Sequence, residues 1–149
     1  MTADFIIEAD GGSRGNPGPA AYGTVVRNAL TRAVIIEAAG YLGETTNNVA
    51  EYSGLLTGLQ LIAELDASAR VEARLDSKLV VEQMSGRWKI KHPAMRELAI
   101  AARDAFTAEQ VTYTWVPRAE NTAADALVNE CLDAIASGRD GEILRRLAS

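Results

Sequence analysis

The sequence predicts an α/β domain: a five-stranded mixed sheet in the element order βββαβααβα, with helices packed on its faces. Three observations predict it. The opening third carries β-rich runs, the first of them alternating with a period of two. Beyond residue 46 apolar residues recur at helical spacing between short β-rich runs. Strands separated by such helices need crossovers, so the first, fourth and fifth strands run parallel and the opening meander is antiparallel.

Each element has its own signal. Residues 5–10 place Phe5, Ile7 and Ala9 on one side and Ile6, Glu8 and Asp10 on the other, the pattern of a strand. Residues 11–19 hold four glycines and two prolines in nine positions, which marks a turn. Residues 22–26 and 33–38 are two more strands around a polar turn at 27–32. Tyr52, Leu55, Leu56, Leu59, Ile62 and Leu65 then form a helical stripe, with Thr46, Asn47 and Asn48 as capping candidates. Gly54 and Gly58 lie beside that stripe. Each costs about 1 kcal/mol of helix propensity, so close packing on the sheet is the expected return.

Val71, Ala73 and Leu75 mark a short strand ending at Asp76, and Ser77 can cap a helix carrying Leu79, Val80 and Met84. Pro93 suits the first turn of a helix with Met95, Leu98, Ala102 and Phe106. Residues 111–116 are the fifth strand, and Asn121 opens a last helix lined by Leu127, Val128, Cys131 and Ile135. The domain is expected to span 1–138. Residues 139–149 read as a tail or linker, in which 143–147 could form one helical turn.

Composition narrows the class. The chain has 149 residues, enough for one domain, and 48% of them are apolar, too many for a disordered chain. No apolar run approaches the ~18 residues of a membrane span, and residues 1–4 resemble no signal peptide. One cysteine, Cys131, cannot form an internal disulfide. The expectation is a reduced, cytoplasmic, monomeric domain without membrane contact, able to stand within a longer chain. The formal charge of −5 argues against nucleic-acid binding by bulk charge. Two divalent cations on shared carboxylates would bring it to −1, freeing local basic patches to act.

Four acids stand where the fold can gather them. Asp10 and Asp76 end neighbouring parallel strands, where open α/β sheets place their ligands. Glu51 lies in the first turn of the first long helix and Asp125 in the first turn of the last. Four crowded carboxylates repel unless cations neutralise them, and oxygen-only ligands suit Mg²⁺ or Mn²⁺. Each acid also has a structural use. Glu51 could complete a capping box with Asn48, Asp125 could favour a helix dipole, Asp76 could cap its helix and Asp10 could serve an Asp-Gly turn. Spacing alone leaves both uses open.

The segment from Asp10 to Gly23, DGGSRGNPGPAAYG, resembles the opening motif of type 1 ribonuclease H. Thr46-Asn47-Asn48-Val49-Ala50-Glu51-Tyr52 resembles that family's second motif and Asp76-Ser77 its third. Trp115-Val116-Pro117-Arg118-Ala119-Glu120-Asn121, followed by Ala124-Asp125-Ala126-Leu127, is similar to its fourth. Four motifs in the right order, over about residues 5–135, make the resemblance specific. It implies a ribonuclease H-like fold and endonucleolytic hydrolysis of the RNA strand of an RNA–DNA hybrid, leaving 5′-phosphate and 3′-hydroxyl ends. Asp10, Glu51, Asp76 and Asp125 would hold two Mg²⁺ ions (or Mn²⁺), one activating water and one stabilising the leaving 3′ oxygen.

The resemblance also assigns substrate contacts. Reading of RNA 2′-hydroxyls falls to the backbone of Gly11, Gly12 and Ser13 and to Asn16, Asn47 and Asn48. Thr46 would touch a DNA-strand phosphate and Lys78 the RNA strand. Residues 87–92, with Trp88, Lys89 and Lys91, interleave cations with an aromatic, which suits phosphate contacts and stacking.

Four departures from the family pattern stand out. Arg118 lies near the place of a loop histidine, within a Val-Pro-Arg run typical of a subgroup, and guanidinium cannot shuttle protons at neutral pH. It can still hold a phosphate oxygen. His92, the only histidine, lies in the basic loop and reads as a substrate-side or surface residue. Glu44 replaces a phosphate-binding arginine, and a long basic insertion is missing, so hybrid affinity should be modest and salt-dependent. Two other classes fit the sequence less well. A noncatalytic nucleic-acid module would have lost an acid, and none is lost. A DNA nuclease akin to integrases and resolvases would have no use for the Gly-rich turn and the asparagine pair.

Overall fold

The computed structural model describes residues 2–147. Its strands are β1 Phe5–Ser13, β2 Gly18–Asn28, β3 Val34–Thr45, β4 Val71–Leu75, β5 Val111–Trp115 and β6 Ile143–Arg146. Its helices are α1 Asn47–Leu65, α2 Lys78–Met84, α3 Pro93–Ala105 and α4 Thr122–Ala136. The strands lie in the order β5-β4-β1-β2-β3-β6. As the crossovers require, β1, β4 and β5 are parallel and β1, β2 and β3 form an antiparallel meander.

The sheet has six strands where the sequence predicts five. The additional one, β6, pairs antiparallel with β3 from Ile36↔Arg146 to Ala39↔Ile143. Part of the expected tail therefore belongs to the sheet, and 143–146 is extended rather than helical. Ile143 packs with α4 while Arg145 reaches Glu37 and Glu130, so a four-residue segment with one apolar anchor is held by pairing that its own pattern does not advertise. The meander strands also run longer than their apolar cores. β1 continues to Ser13 and β2 starts at Gly18, which shrinks the expected turn to residues 14–17.

Alternation along β1 decides what lies on each face. Ile7 and Ala9 join the larger core with Leu55, Leu59 and Ile62 of α1, Val80 and Val81 of α2, and Met95 and Ala99 of α3. Leu55, Leu59 and Ile62 are fully buried, and each contributes about 1.5–3 kcal/mol. On the opposite face Leu127, Val128, Cys131 and Leu132 of α4 cover Ala21, Val25 and Ala39. Gly54 and Gly58 let α1 settle onto the sheet. A Cβ at Gly54 would stand 2.9 Å from the Asp10 carbonyl oxygen, and one at Gly58 2.9 Å from Thr24 Cγ2. Among the described residues no helix is long and apolar enough to cross a membrane.

Candidate active site

The site grows from one register. Ala9↔Leu75 is the last parallel pair between β1 and β4, so Asp10 and Asp76 are the next residues on neighbouring strands. Glu51 arrives from α1, and Gly11 makes its approach feasible. A Cβ at Gly11 would lie 2.2 Å from the Ala50 carbonyl carbon and 2.3 Å from the Glu51 nitrogen, so only glycine lets the helix come this near. Thr46 is the helix N-cap, accepting from the Val49 N–H at 3.3 Å. Glu51 therefore sits in the second turn, one turn later than predicted, and cannot close a capping box with Asn48.

One ligand oxygen from each of Asp10, Glu51 and Asp76 lies within 4.8 Å of the others. Burial and the charge of Asp76 raise the Asp10 carboxyl from 3.8 to about 6, against hydrogen bonds with the Glu51 side chain and from the Gly11 N–H, the latter at 2.9 Å. Burial, with Asp10 and Asp76 adding repulsion, holds Glu51 well above its ordinary value. Asp76 is raised by burial too, while the nearby Arg118 guanidinium and Asn121 pull it down. Three desolvated carboxyls that resist ionisation together form a site that a cation relieves. The donors are all carboxylate oxygens, a set that fits a hard divalent ion. Asp125, exposed in the first turn of α4, stands outside that trio, although its side chain raises Asp10 through a hydrogen bond and its charge raises Asp76.

Around the acids, two predicted motifs interlock. The Ser13 N–H and hydroxyl both donate to Asn47 Oδ1, at 2.8 and 3.1 Å. The Asn47 N–H in turn donates to Asn16 Oδ1 at 3.2 Å. Asn48 is exposed beside them, and Gly12 has room at its Cα, the nearest atom being Val128 Cγ1 at 3.7 Å from a built Cβ. Lys78 is the exposed first residue of α2, capped by Ser77 as expected.

The basic loop stands apart from the acids. Trp88, Lys89, Ile90 and Lys91 line an open groove of about 430 Å³ with Arg96 and Ile100 of α3. Gln83 fixes this loop by donating to the Lys89 carbonyl at 3.0 Å while accepting from the buried Tyr52 hydroxyl at 2.7 Å. Arg87 is committed to Glu82 through two bonds of 2.6 and 3.1 Å. His92 is the N-cap of α3, its Nδ1 accepting from the Ala94 N–H at 3.2 Å.

Sequence reasoning missed one residue of the site. Asn121 is 1% exposed, and its Nδ2 donates to the Ala9 carbonyl at 2.8 Å, joining the middle of β1 to the start of α4. It opens α4 as the N-cap residue, as expected, but its side chain makes no capping bond and serves as this bridge instead. The available signal was an amide just ahead of an acid-bearing helix, which reads equally as a cap.

With this geometry, comparison with known proteins decides the family. A model described as "Reverse transcriptase-like" matches residues 8–131. Ribonuclease HI of Halobacterium salinarum is 42% identical over 125 residues, covering 83% of this chain and 62% of that protein. The chain belongs to the type 1 ribonuclease H family. The "Bifunctional protein Rv2228c" of Mycobacterium tuberculosis is 53% identical over 132 residues, which cover 88% of this chain but only 36% of that protein. This ribonuclease H chain thus spans about a third of the length of its mycobacterial relative. The solved N-terminal RNase H domain of Rv2228c superposes with a TM-score of 0.83 at 51% identity, covering 91% of this chain and 98% of that one. LC11-RNase H1, solved in complex with an RNA/DNA hybrid, superposes with a TM-score of 0.81 at 37% identity, covering 89% and 99%.

Proposed function

We propose that this chain hydrolyses the RNA strand of RNA–DNA hybrids endonucleolytically, leaving 5′-phosphate and 3′-hydroxyl ends. Asp10, Glu51, Asp76 and Asp125 hold two Mg²⁺ ions, or Mn²⁺. The observation that carries this reading is the trio of carboxylate oxygens within 4.8 Å, brought together from β1, α1 and the residue just past β4. When bound, such ions supply an activated water and stabilise charge on the leaving oxygen.

The chain's own residues do the rest. The Gly11 N–H fixes the Asp10 carboxylate on β1, and the bridge from Asn121 to Ala9 fixes that part of the strand against α4. Arg118, beside Asp76, grips a phosphate oxygen and cannot donate its proton at neutral pH. The interlocked Ser13, Asn16 and Asn47, with Gly11, Gly12 and Asn48, form a rigid polar surface suited to reading 2′-hydroxyls. The Thr46 oxygen is occupied as an acceptor, which leaves its hydroxyl hydrogen for a DNA-strand phosphate. Lys78 meets the RNA strand, while Trp88, Lys89 and Lys91 meet the duplex farther out.

The test is cleavage of end-labelled RNA–DNA hybrid, duplex DNA and duplex RNA side by side in Mg²⁺. Only the hybrid's RNA strand should be cut, with products carrying 5′-phosphates. Equal cutting of duplex DNA would replace this reading with that of a DNA nuclease.

A further inference from the structure

Two tryptophans are present in the chain, and both are about half exposed: Trp88 at 46% and Trp115 at 51%. Trp88 belongs to the basic loop. Trp115 ends β5 and has no place yet in the reaction. Its alternation partners Val111 and Tyr113 pack against the larger core, whereas Trp115, next in the same series, leaves its ring largely uncovered.

This indole is also held in place. Trp115 pairs in register with Leu75, and the Val116 N–H donates to the Leu75 carbonyl at 2.9 Å. The indole Nε1–H donates to the carbonyl oxygen of Asp76 at 3.2 Å. The ring is therefore tied to the backbone of a catalytic acid, and ordering it costs little on binding. Arg118 lies three residues past Trp115 and acts on the carboxyl of the same Asp76 that holds the indole. An exposed aromatic face held in this way is a stacking platform for a nucleotide.

We propose that Trp115 is a substrate-binding residue whose indole face stacks on a nucleotide of the RNA strand beside the scissile phosphate. The RNA strand is the partner because the ring is anchored to Asp76, one of the acids at the bond to be cut. This rests on the hybrid being the substrate.

The test uses fluorescence. In a Trp88→Phe chain Trp115 is the sole indole emitter, and a further Asp10→Asn change stops turnover. The probe is an RNA–DNA hybrid with fluorescein on the DNA strand, so that anisotropy reports binding independently. Stacking predicts that Trp115 emission falls along the anisotropy isotherm and that acrylamide quenching weakens on binding. Saturating anisotropy with emission and quenching both unchanged would overturn the proposal. Trp115→Ala and Trp115→Phe in the otherwise unaltered chain give a second readout. Loss of one base–aromatic stack should raise KM for the hybrid about tenfold in the alanine variant, and the phenyl ring should recover most of it. A role confined to the N–H bond with Asp76 predicts equal defects in both variants, seen in kcat with KM unchanged, and overturns stacking. If the unaltered chain does not bind the hybrid at all, the proposed function falls, and this inference with it.

Discussion

Glu120 gives its carboxylate to Arg74, with Oε1 3.6 Å from Nη2, and leaves Arg118, two residues earlier in the same 3-10 turn, to Asp76. Arg74 lies on β4 two residues before Asp76, so the group that holds this turn sits on the strand that leads into the acid. Glu120 is more than half exposed, and such a pair contributes roughly 0–1 kcal/mol. Its consequence is positional. Among the described residues no ion pair joins Arg118 to Glu120, so the arginine is not tied up by its neighbour in the turn.

Arg118→Ala is accordingly expected to lower kcat about tenfold or more at saturating hybrid and Mg²⁺, because a fixed cation near developing charge acts mainly in the transition state. Arg118→Lys should recover only part, since a point charge lacks the planar fork. Because Arg118 pulls the Asp76 carboxyl down, the alanine variant should also move the acid limb of its pH–rate profile upward. Unchanged kcat and an unmoved limb would return Arg118 to a surface role.

Asp10→Asn should abolish cleavage and leave the fold intact. The carboxyl is buried among like charges and raised to about 6, so replacing it with an amide should stabilise the metal-free protein at pH 7 by on the order of 2 kcal/mol. Urea unfolding in EDTA measures the gain. Near-normal turnover in saturating Mg²⁺ would remove Asp10 from the metal site.

The positions of Asp10 and Asp76 were legible because parallel strands joined by crossovers must end on the same side. The caps at Thr46 and Ser77 and the first-turn Pro93 were legible because each answers a local backbone need. What escaped has nonlocal causes. β6 forms because β3 offers an open edge, which the polar segment before it conceals. Asn121 reads as a cap because its true partner, the Ala9 carbonyl, lies 112 residues away. The Arg74–Glu120 pair likewise joins residues whose spacing carries no periodic signal.

Metal and pH should act on stability together. The Asp10 carboxyl is higher in the folded than in the unfolded chain, so the folded state binds the proton more tightly. Its stabilising contribution is complete below about pH 4 and is lost as pH rises through about 6, and the raised Glu51 and Asp76 carboxyls work in the same direction. In EDTA, the Tm of the unaltered chain minus that of Asp10→Asn should therefore fall between pH 4 and 6 and level off above 7. Mg²⁺ should raise the Tm of the unaltered chain at pH 8 and have little effect at pH 4. A difference that stays flat with pH would show that these carboxyls ionise as freely in the fold as in the open chain.

The basic loop supplies the last expectation. Lys89 and Lys91 line a groove whose backbone is fixed by Gln83 and by Arg96, whose Nη2 donates to the Ile90 carbonyl at 3.1 Å. The two ammonium groups are thus presented on a held loop, and Arg87 is spent on Glu82. Lys89→Ala with Lys91→Ala should raise KM and spare kcat, because phosphate contacts away from the reacting bond act equally on ground and transition states. Each lost phosphate contact should flatten the slope of log K against log salt by about 0.9. For two contacts the slope should change by about 2, measured by anisotropy with labelled hybrid across a salt series. An unaltered slope would mean that the loop does not reach the duplex, and the DNA-strand contacts would then have to come from Thr46 and its neighbours alone.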